Sequence, residues 1–292
     1  MKKVVITGAT GFTGVHVVSE FVNNGYEVTS YVRDIQKAIQ LGLDRTTRLC
    51  CGSIEQGELL QDALNGTDVL VNVVSLGFGH APLIVDACQK AGLKRAVFIS
   101  TTGIFTRLNP VSKQMRLDAE RVIKESRLNY TILRPTMIFG TGKDRNVSRL
   151  IKYIKKYPIL PIPGSGKNLI QPVYVKDLAN AIYRAANSEK AEEREYNISG
   201  SEAVSFNTLV ESIAELLGKR IVKIPIPLAM GTVPLVFFEK IGVKLPIKSE
   251  QLLRLNEDKA FSYANAQEDF GYAPILIKAA LQKEIIDIQT VS

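Results

Sequence analysis

The 292-residue chain carries only two histidines and three cysteines. That scarcity excludes a zinc cluster built from several His and Cys ligands, so no metal is expected. The cysteines, Cys50 beside Cys51 and Cys88 apart from them, read as buried free thiols of a reducing cytosol. No window offers the ~20 uninterrupted apolar residues that a membrane-spanning helix needs. The first apolar run, Val4-Val5-Ile6, ends after three residues ahead of a glycine turn, which argues against a secretory leader. A cytoplasmic protein without a membrane span is the expectation. Internal repeats and low-complexity stretches are also missing. The formal net charge of +8 suits nucleic acid, acidic lipid or an anionic small molecule, or is simply a solvated surface.

What the chain does have is concentrated at its start. Thr7-Gly8-Ala9-Thr10-Gly11-Phe12-Thr13-Gly14 follows the apolar run. The pattern predicts a buried strand turning through glycines into a helix whose apolar face is Val15, Val18, Phe21 and Val22. Glycines let a backbone approach a diphosphate, and the free N–H groups at a helix start favour negative charge. Gly8, Thr10, Gly11, Phe12, Thr13 and Gly14 are therefore candidate pyrophosphate-binding residues. The competing reading is a tight strand-to-helix turn with no ligand. The spacing is G-x-x-G-x-x-G, not the G-x-G-x-x-G of the commonest dinucleotide fold.

Asn23-Asn24-Gly25 predicts the end of the first helix. Tyr26 to Val32 reads as a second strand, ending in Arg33-Asp34. An acidic side chain at such a strand end accepts from a ribose 2′-hydroxyl, whereas an arginine accommodates a 2′-phosphate. Arg33 comes first and Asp34 suits the N-cap of a following helix, so NADP(H) is preferred over NAD(H). Further strands are expected at Leu49 to Ile54, Asp68 to Ser75, Lys94 to Ser100 and Tyr130 to Leu133, and helices at Ala81 to Ala91 and Ser112 to Ser126. This alternation predicts an α/β fold, a doubly wound parallel sheet of Rossmann type.

Beyond Gly140 the rhythm changes. Gly and Pro punctuate Tyr157 to Pro172, a helix runs to Ala186, and Tyr196 to Ile198 closes the sheet. A smaller, mostly helical C-terminal lobe on the substrate side is expected from Ser205, with a last helix after Pro274. The division is 1–199 for the nucleotide-binding domain, with 141–170 contributing to the cleft, and 200–292 for the lobe. The apolar window Ile226 to Phe238 is too short to span a bilayer. It reads as packing on the main domain, as the wall of a lipophilic pocket, or as a subunit contact of a homodimer.

Taken together, the segments Thr7 to Gly14, Phe98 to Phe105, Tyr130 to Gly140 and Gln171 to Ala181 give the chain a resemblance to the extended and atypical short-chain dehydrogenase/reductases, the epimerase/dehydratase-like proteins. Its nearest look-alikes are the atypical group that contains a complex I accessory subunit. The resemblance implies a bound dinucleotide and a hydride reaction in which a Tyr-x-x-x-Lys pair handles the proton. It implies that Thr101 holds the reacting oxygen and that Val74, Ser75 and Pro135 to Ile138, including Ile138 itself, line the cofactor by their backbone. Ser53, with Ile54, stands where relatives place an adenine-binding Asp. The dyad is missing. Ser112 and Arg116 occupy its places, and no tyrosine lies between Tyr31 and Tyr130. Arg116 stays charged and relays no proton, but it can hydrogen-bond a ribose or pair with Glu120 along an exposed helix face. Ser112 lacks a base. Two functions therefore remain open: a reductase or epimerase using Thr101 and another proton donor, and a redox-silent accessory or sensor protein.

The last feature is basic. Lys143, Arg145, Arg149, Lys152, Lys155, Lys156 and Lys167 have only Asp144 as counter-charge. They would hold an anionic substrate at the cleft, or form the wet face of a helix whose apolar stripe is Val147, Leu150, Ile151 and Ile154. The segment reads as lacking aromatic platforms for bases, so nucleic acid is not an expected partner. A small molecule, anionic or lipophilic, is.

Overall fold

The protein is described by a computed structural model covering residues 1–108, 110–227 and 257–291. Strands β1 (Lys3–Thr7), β2 (Glu27–Val32), β3 (Arg48–Cys51), β4 (Val69–Asn72), β5 (Arg95–Ile99) and β6 (Asn129–Pro135) alternate with helices α1 (Gly14–Asn23), α2 (Ile35–Gln40), α3 (Gly57–Leu64), α4 (Ala81–Lys90) and α5 (Val111–Lys124). Then follow β7 (Ile138–Phe139), α6 (Val147–Lys156), β8 (Ile159–Pro163), β9 (Leu169–Ile170), β10 (Val173–Tyr174), α7 (Val175–Ala186) and β11 (Arg194–Ile198). The remaining described elements are β12 (Val204–Ser205), α8 (Phe206–Leu216), β13 (Val222–Ile226), α9 (Ala264–Phe270) and α10 (Ile277–Val291).

Seven parallel strands form the central sheet in the order β11-β6-β5-β4-β1-β2-β3. The expected doubly wound Rossmann sheet is the observed one. The chain builds outward from β1 to β3, then returns to the other side of β1 as β4. That reversal opens a crevice beyond the carboxyl ends of β1 and β4, where such sheets bind ligands. β1, β4 and β5 are apolar on both faces because helices cover both. On one face Val17, Val18 and Phe21 of α1 pack with Leu178 and Ile182 of α7. On the other, Leu60, Ile84, Cys88, Ala119 and Ile123 of α3, α4 and α5 form a second core. The α1 face thus uses Val17 where the sequence pattern expected Val15, which is half-buried.

A third apolar core joins α6, β8, α8 and α10 through Ile151, Ile154, Leu160, Ile213, Leu281 and Ile285. Helix α9 instead returns to the main sheet, where Phe270 stacks edge-on to Tyr196 of β11. Of the apolar window from Ile226 to Phe238, residues 228–238 lie outside the described residues. No helix among the described residues is long and apolar enough to cross a membrane.

The thiols correct one expectation. All three are free, but Cys51 is exposed and Cys50 half-buried, because β3 is the edge strand; only Cys88 is buried. Burial pushes the Cys88 thiol up to about 12.

Arg95 is the one arginine buried at the root of the sheet among the described residues. Its guanidinium donates to Asn129 O (2.6 Å), Ala185 O (2.5 Å) and Thr131 Oγ1 (2.8 Å), tying β5 to β6 and to the end of α7. Arg95→Met removes all three donated bonds and leaves Ala185 O only the longer contact from Ser188 N (3.3 Å), at a cost of about 2–3 kcal/mol. Chemical denaturation should show that loss; a change under ~0.5 kcal/mol would mean water replaces the guanidinium.

Candidate nucleotide site

The turn between β1 and α1 is built around three close approaches. Gly8 has φ +71°, and a Cβ there would lie 3.1 Å from Val74 N, on the loop after β4. Gly11 N donates to Gly8 O at 2.9 Å. A Cβ on Gly14 would stand 2.1 Å from Gly8 O, so only glycine lets the first turn of α1 settle on the strand exit. Thr13, the N-cap, makes no side-chain cap bond, and the N–H groups of Phe12, Thr13 and Gly14 have no acceptor among the described residues. Half-buried Thr10 and Phe12 flank exposed Gly11. The result is a backbone cradle at a helix N-terminus, whose chemistry suits an anion.

The floor of the crevice contains polar groups that sequence reasoning passed over. Thr7 Oγ1 donates to Asn72 Oδ1 (2.7 Å), and Asn72 Nδ2 donates to Val74 O (3.0 Å). Both residues are fully buried at the paired ends of β1 and β4. A lone Asn in an otherwise apolar strand was the available sign. This bond ends β4 at Asn72, three residues before the expected Ser75, and turns the Val74–Ser75 backbone along the crevice. Ser75 Oγ in turn accepts from Gly77 N (3.2 Å).

Arg33 is exposed at the end of β2, and its guanidinium has no partner among the described residues. Asp34 is committed elsewhere, since its side chain caps α2 by accepting from Lys37 N at 3.0 Å. Ser53 follows β3. Its hydroxyl donates to Glu55, its N–H to Gln56 Oε1 (2.9 Å), and its carbonyl accepts from Tyr31 Oη (2.9 Å). The hydroxyl proton is thus spent on Glu55, while the hydroxyl oxygen keeps lone pairs that can accept. Ile54 is buried in the second core.

On the opposite bank, Thr101 caps the turn Thr102–Phe105, its Oγ1 accepting from Gly103 N at 3.1 Å. Its hydroxyl proton is left to give. Ser112 is half-buried and its hydroxyl makes no hydrogen bond among the described residues. Arg116 Nη1 donates to Ser112 O (3.0 Å), and its guanidinium lies over Gly77, 3.1 Å from the position of a Cβ there. Arg116 therefore reaches from α5 to the loop after β4. Lys113 cannot serve Ser112 as a base, because its Nζ donates to Thr106 O at 2.7 Å. Pro135, the last residue of β6, is buried, and Ile138, the first of β7, is half-buried.

Two carboxylates are placed otherwise than their local spacing suggests. Glu120 does not lie on an exposed face: it is 2% exposed and takes Ser100 Oγ (2.5 Å) and the Arg134 guanidinium. Arg134 also pairs with Glu195, which bonds Lys124. Burial raises the Glu195 pKa, but Lys124 and Arg134 reverse the effect and leave it below the usual range. Asp144 likewise does not neutralise the basic helix face. It turns inward, buried, and accepts the N–H groups of Asn146 (2.7 Å) and Ser148 (3.2 Å) at the start of α6. The basic segment does carry aromatics, Tyr153 and Tyr157, with rings 4.8 Å apart.

Two long-range ties had no local signal. Glu257 accepts from Thr106 Oγ1 (2.7 Å) and Arg107 N (2.8 Å), anchoring the loop that follows Thr101. Buried Gln171 bridges Gly200 O (2.7 Å) and Phe261 N (2.9 Å). Behind the cradle, His16 stands edge-on to Phe12; burial first, then Lys176 and Lys143, lowers its pKa against the opposing pull of Asp287. No group of three or more His, Cys, Asp or Glu among the described residues could hold a metal.

Comparisons with known proteins agree with this geometry. The family described as NAD(P)H-binding matches residues 8–156, just over half of the chain, and the 3-beta hydroxysteroid dehydrogenase/isomerase family matches 104–224. The chloroplast stem-loop binding protein of 41 kDa b from Arabidopsis thaliana is 26% identical over 74% of this chain, which covers 64% of that protein. Subunit 9 of the NADH dehydrogenase [ubiquinone] 1 alpha subcomplex, mitochondrial, of the same plant is 24% identical over 88% of this chain and 69% of its own length. Among solved structures, UDP-glucuronic acid 4-epimerase from Bacillus cereus in complex with NAD superposes with a TM-score of 0.78 at 17% identity, over 99% of both chains. The glycine cradle, the switch-point crevice and these matches lead to one assignment: the chain belongs to the NAD(P)H-binding family, among the extended, atypical short-chain dehydrogenase/reductases.

Proposed function

We propose that the protein binds NADP(H) and holds it as a redox-silent accessory or sensor protein. The supporting observation is the pairing of an anion cradle that a single Cβ would fill with a strand end where Arg33 is unengaged and Asp34 is spent on α2. The pyrophosphate would rest on Gly8 to Gly14, a 2′-phosphate on Arg33, and a ribose hydroxyl on Arg116. When bound, a nicotinamide supplies or accepts hydride. The protein's own contribution to the proton is what is missing, because Ser112 has no base and Arg116 keeps its charge. A relative named as a subunit of NADH dehydrogenase supports the accessory role. A second reading, a reductase or epimerase acting on a small anionic or lipophilic molecule, rests on Thr101, whose hydroxyl proton is unspent. We place the protein in the cytoplasm, as a homodimer.

Thermal melts with NADPH, NADP and NADH test the site. A ligand at a hundred times its Kd should add about 2.7 kcal/mol, and a midpoint unmoved by all three would refute the proposal. Arg33→Ala should weaken NADPH roughly 10- to 100-fold, the worth of a charge-assisted phosphate contact, and leave NADH nearly unchanged. Equal losses would remove the 2′-phosphate role. Oxidation of bound NADPH across a panel of carbonyls and nucleotide-sugars, abolished by Thr101→Ala, would favour the second reading instead.

A further inference from the structure

The ribbon of β8 and β13 is apolar on the wrong side. Its strands run parallel in the register Val222↔Ile159, Ile224↔Pro161 and Ile226↔Pro163. Alternate residues of a strand face opposite ways. Leu160 and Ile162 point into the third core. The opposite face should be polar if it met only water. Instead it presents Ile159, Pro161, Val222, Ile224 and Ile226, all exposed, with Val222 at 59% and Ile224 at 47%. Single exposed apolar side chains are ordinary, but a contiguous strip of them marks a contact surface.

Cations ring that strip. Both strands start at the same end, and the residues leading into them are Lys155 and Lys156 at the end of α6 and Lys219 and Arg220 after α8. All four are exposed, and none forms an ion pair with a described carboxylate. Tyr157 lies among them, half of its surface open, with Lys156 Nζ 5.2 Å from its ring centroid. At the far end Gly164 N closes the ribbon on Ile226 O (2.8 Å), and exposed Lys167 follows in the turn.

Protein interfaces are depleted in lysine. Branched apolar side chains bordered by unpaired Lys and Arg, with a tyrosine at the boundary, match instead the interface of an anionic bilayer. There the apolar groups enter at headgroup depth and the cations stay at the phosphates. A two-stranded ribbon has edges whose backbone groups need water, so the contact is shallow and does not span. We propose that the outward face of the β8–β13 ribbon is a peripheral docking surface for membranes rich in anionic lipid. This surface is separate from the nucleotide cradle and does not depend on the reading of that site.

The test is cosedimentation of the full chain with vesicles of phosphatidylcholine alone and of phosphatidylcholine with a third phosphatidylglycerol. Binding to the anionic vesicles should exceed binding to the neutral ones at least tenfold and fall with added salt. Ile224→Glu and the pair Lys155→Glu/Lys156→Glu change exposed side chains, so circular dichroism melts should match the parent. Each should reduce anionic-vesicle binding at least tenfold. No binding by the parent, equal binding to both vesicle types, or binding unaffected by these variants would overturn the proposal. So would a parent dimer that Ile224→Glu converts to monomer without vesicle binding, or displacement of vesicles by a stem-loop RNA at equal charge.

Discussion

Replacing Gly14 by alanine should cost the fold about 3 kcal/mol or more and remove the nucleotide-dependent rise in melting temperature. The added Cβ would sit 2.1 Å from Gly8 O and 2.9 Å from the Ala9 Cα, both backbone atoms. Neither can turn aside as a side chain would. Helix α1 would have to lift from the sheet, against the packing of Val17, Val18 and Phe21. Overpacking that moves backbone costs about 1–3 kcal/mol, and more where the element is pinned on both sides. That result alone would not separate folding from binding. Gly11 does so, because it is exposed, lacks a positive φ, and meets only Gly8 O at 3.1 Å. Gly11→Leu should cost well under what Gly14→Ala costs, because a 3.1 Å approach to Gly8 O asks for a shift of only a few tenths of an ångström and leaves the protein folded. Its side chain would nonetheless fill the cradle and abolish the shift with NADPH. A Gly11→Leu protein that folds and still gains the full shift would place the nucleotide elsewhere.

What was legible in the sequence is what local chemistry decides. The cradle was readable because an apolar strand, a glycine turn and an amphipathic helix are contiguous, and Asp34 was readable as a cap because a cap needs only the next three residues. The parallel, doubly wound sheet followed from the alternation of strands and helices and from runs that are apolar on both faces. The failures are all tertiary. Arg116 and Glu120 have the spacing of a helical pair, yet Glu120 is claimed by Arg134 from β6 and buried. Asp144 was counted as a surface charge, whereas the start of α6 turns it inward to satisfy backbone N–H groups. Prolines in Ile159–Pro163 and Val222–Ile226 spoke against strands. The two pair because a two-stranded ribbon has free edges that tolerate a missing N–H, and because Leu160 and Ile162 fill the third core. Glu257 reaches Thr106 across 151 positions of sequence, and no local pattern could show it.

A second large effect is expected at Glu284 of α10, and its sign is fixed by linkage. The residue is fully buried, its carboxyl closed off from solvent beside the Asp144 carboxylate. Burial, then the neighbouring carboxylates of Asp144 and Asp287, push its pKa up to about 10, with Lys152 only partly opposing. Asp144 cannot swing away, because the N–H groups of Asn146 and Ser148 hold it. In the unfolded chain a glutamate releases its proton near the ordinary value of about 4.3. Between that value and about 10 the folded state keeps a proton that the unfolded state has lost. Stability is therefore greatest below about pH 4.3 as far as this group is concerned, and falls as pH rises, by up to ~1.4 kcal/mol per unit. Glu284→Gln keeps the shape and removes the titration. The variant should gain about 3–4 kcal/mol over the parent near pH 8, but less than ~1 kcal/mol near pH 5. For a chain of this size that is a rise of roughly 6–12 °C in melting temperature at the higher pH. Asp177, raised to about 6 chiefly by burial, shifts stability in the same direction over a narrower range. It is present in both proteins and cancels from their difference. Melts of the two proteins at both pH values decide the matter, since an equal gain at each would show that the substitution acts through packing and that Glu284 does not hold its proton in the folded state.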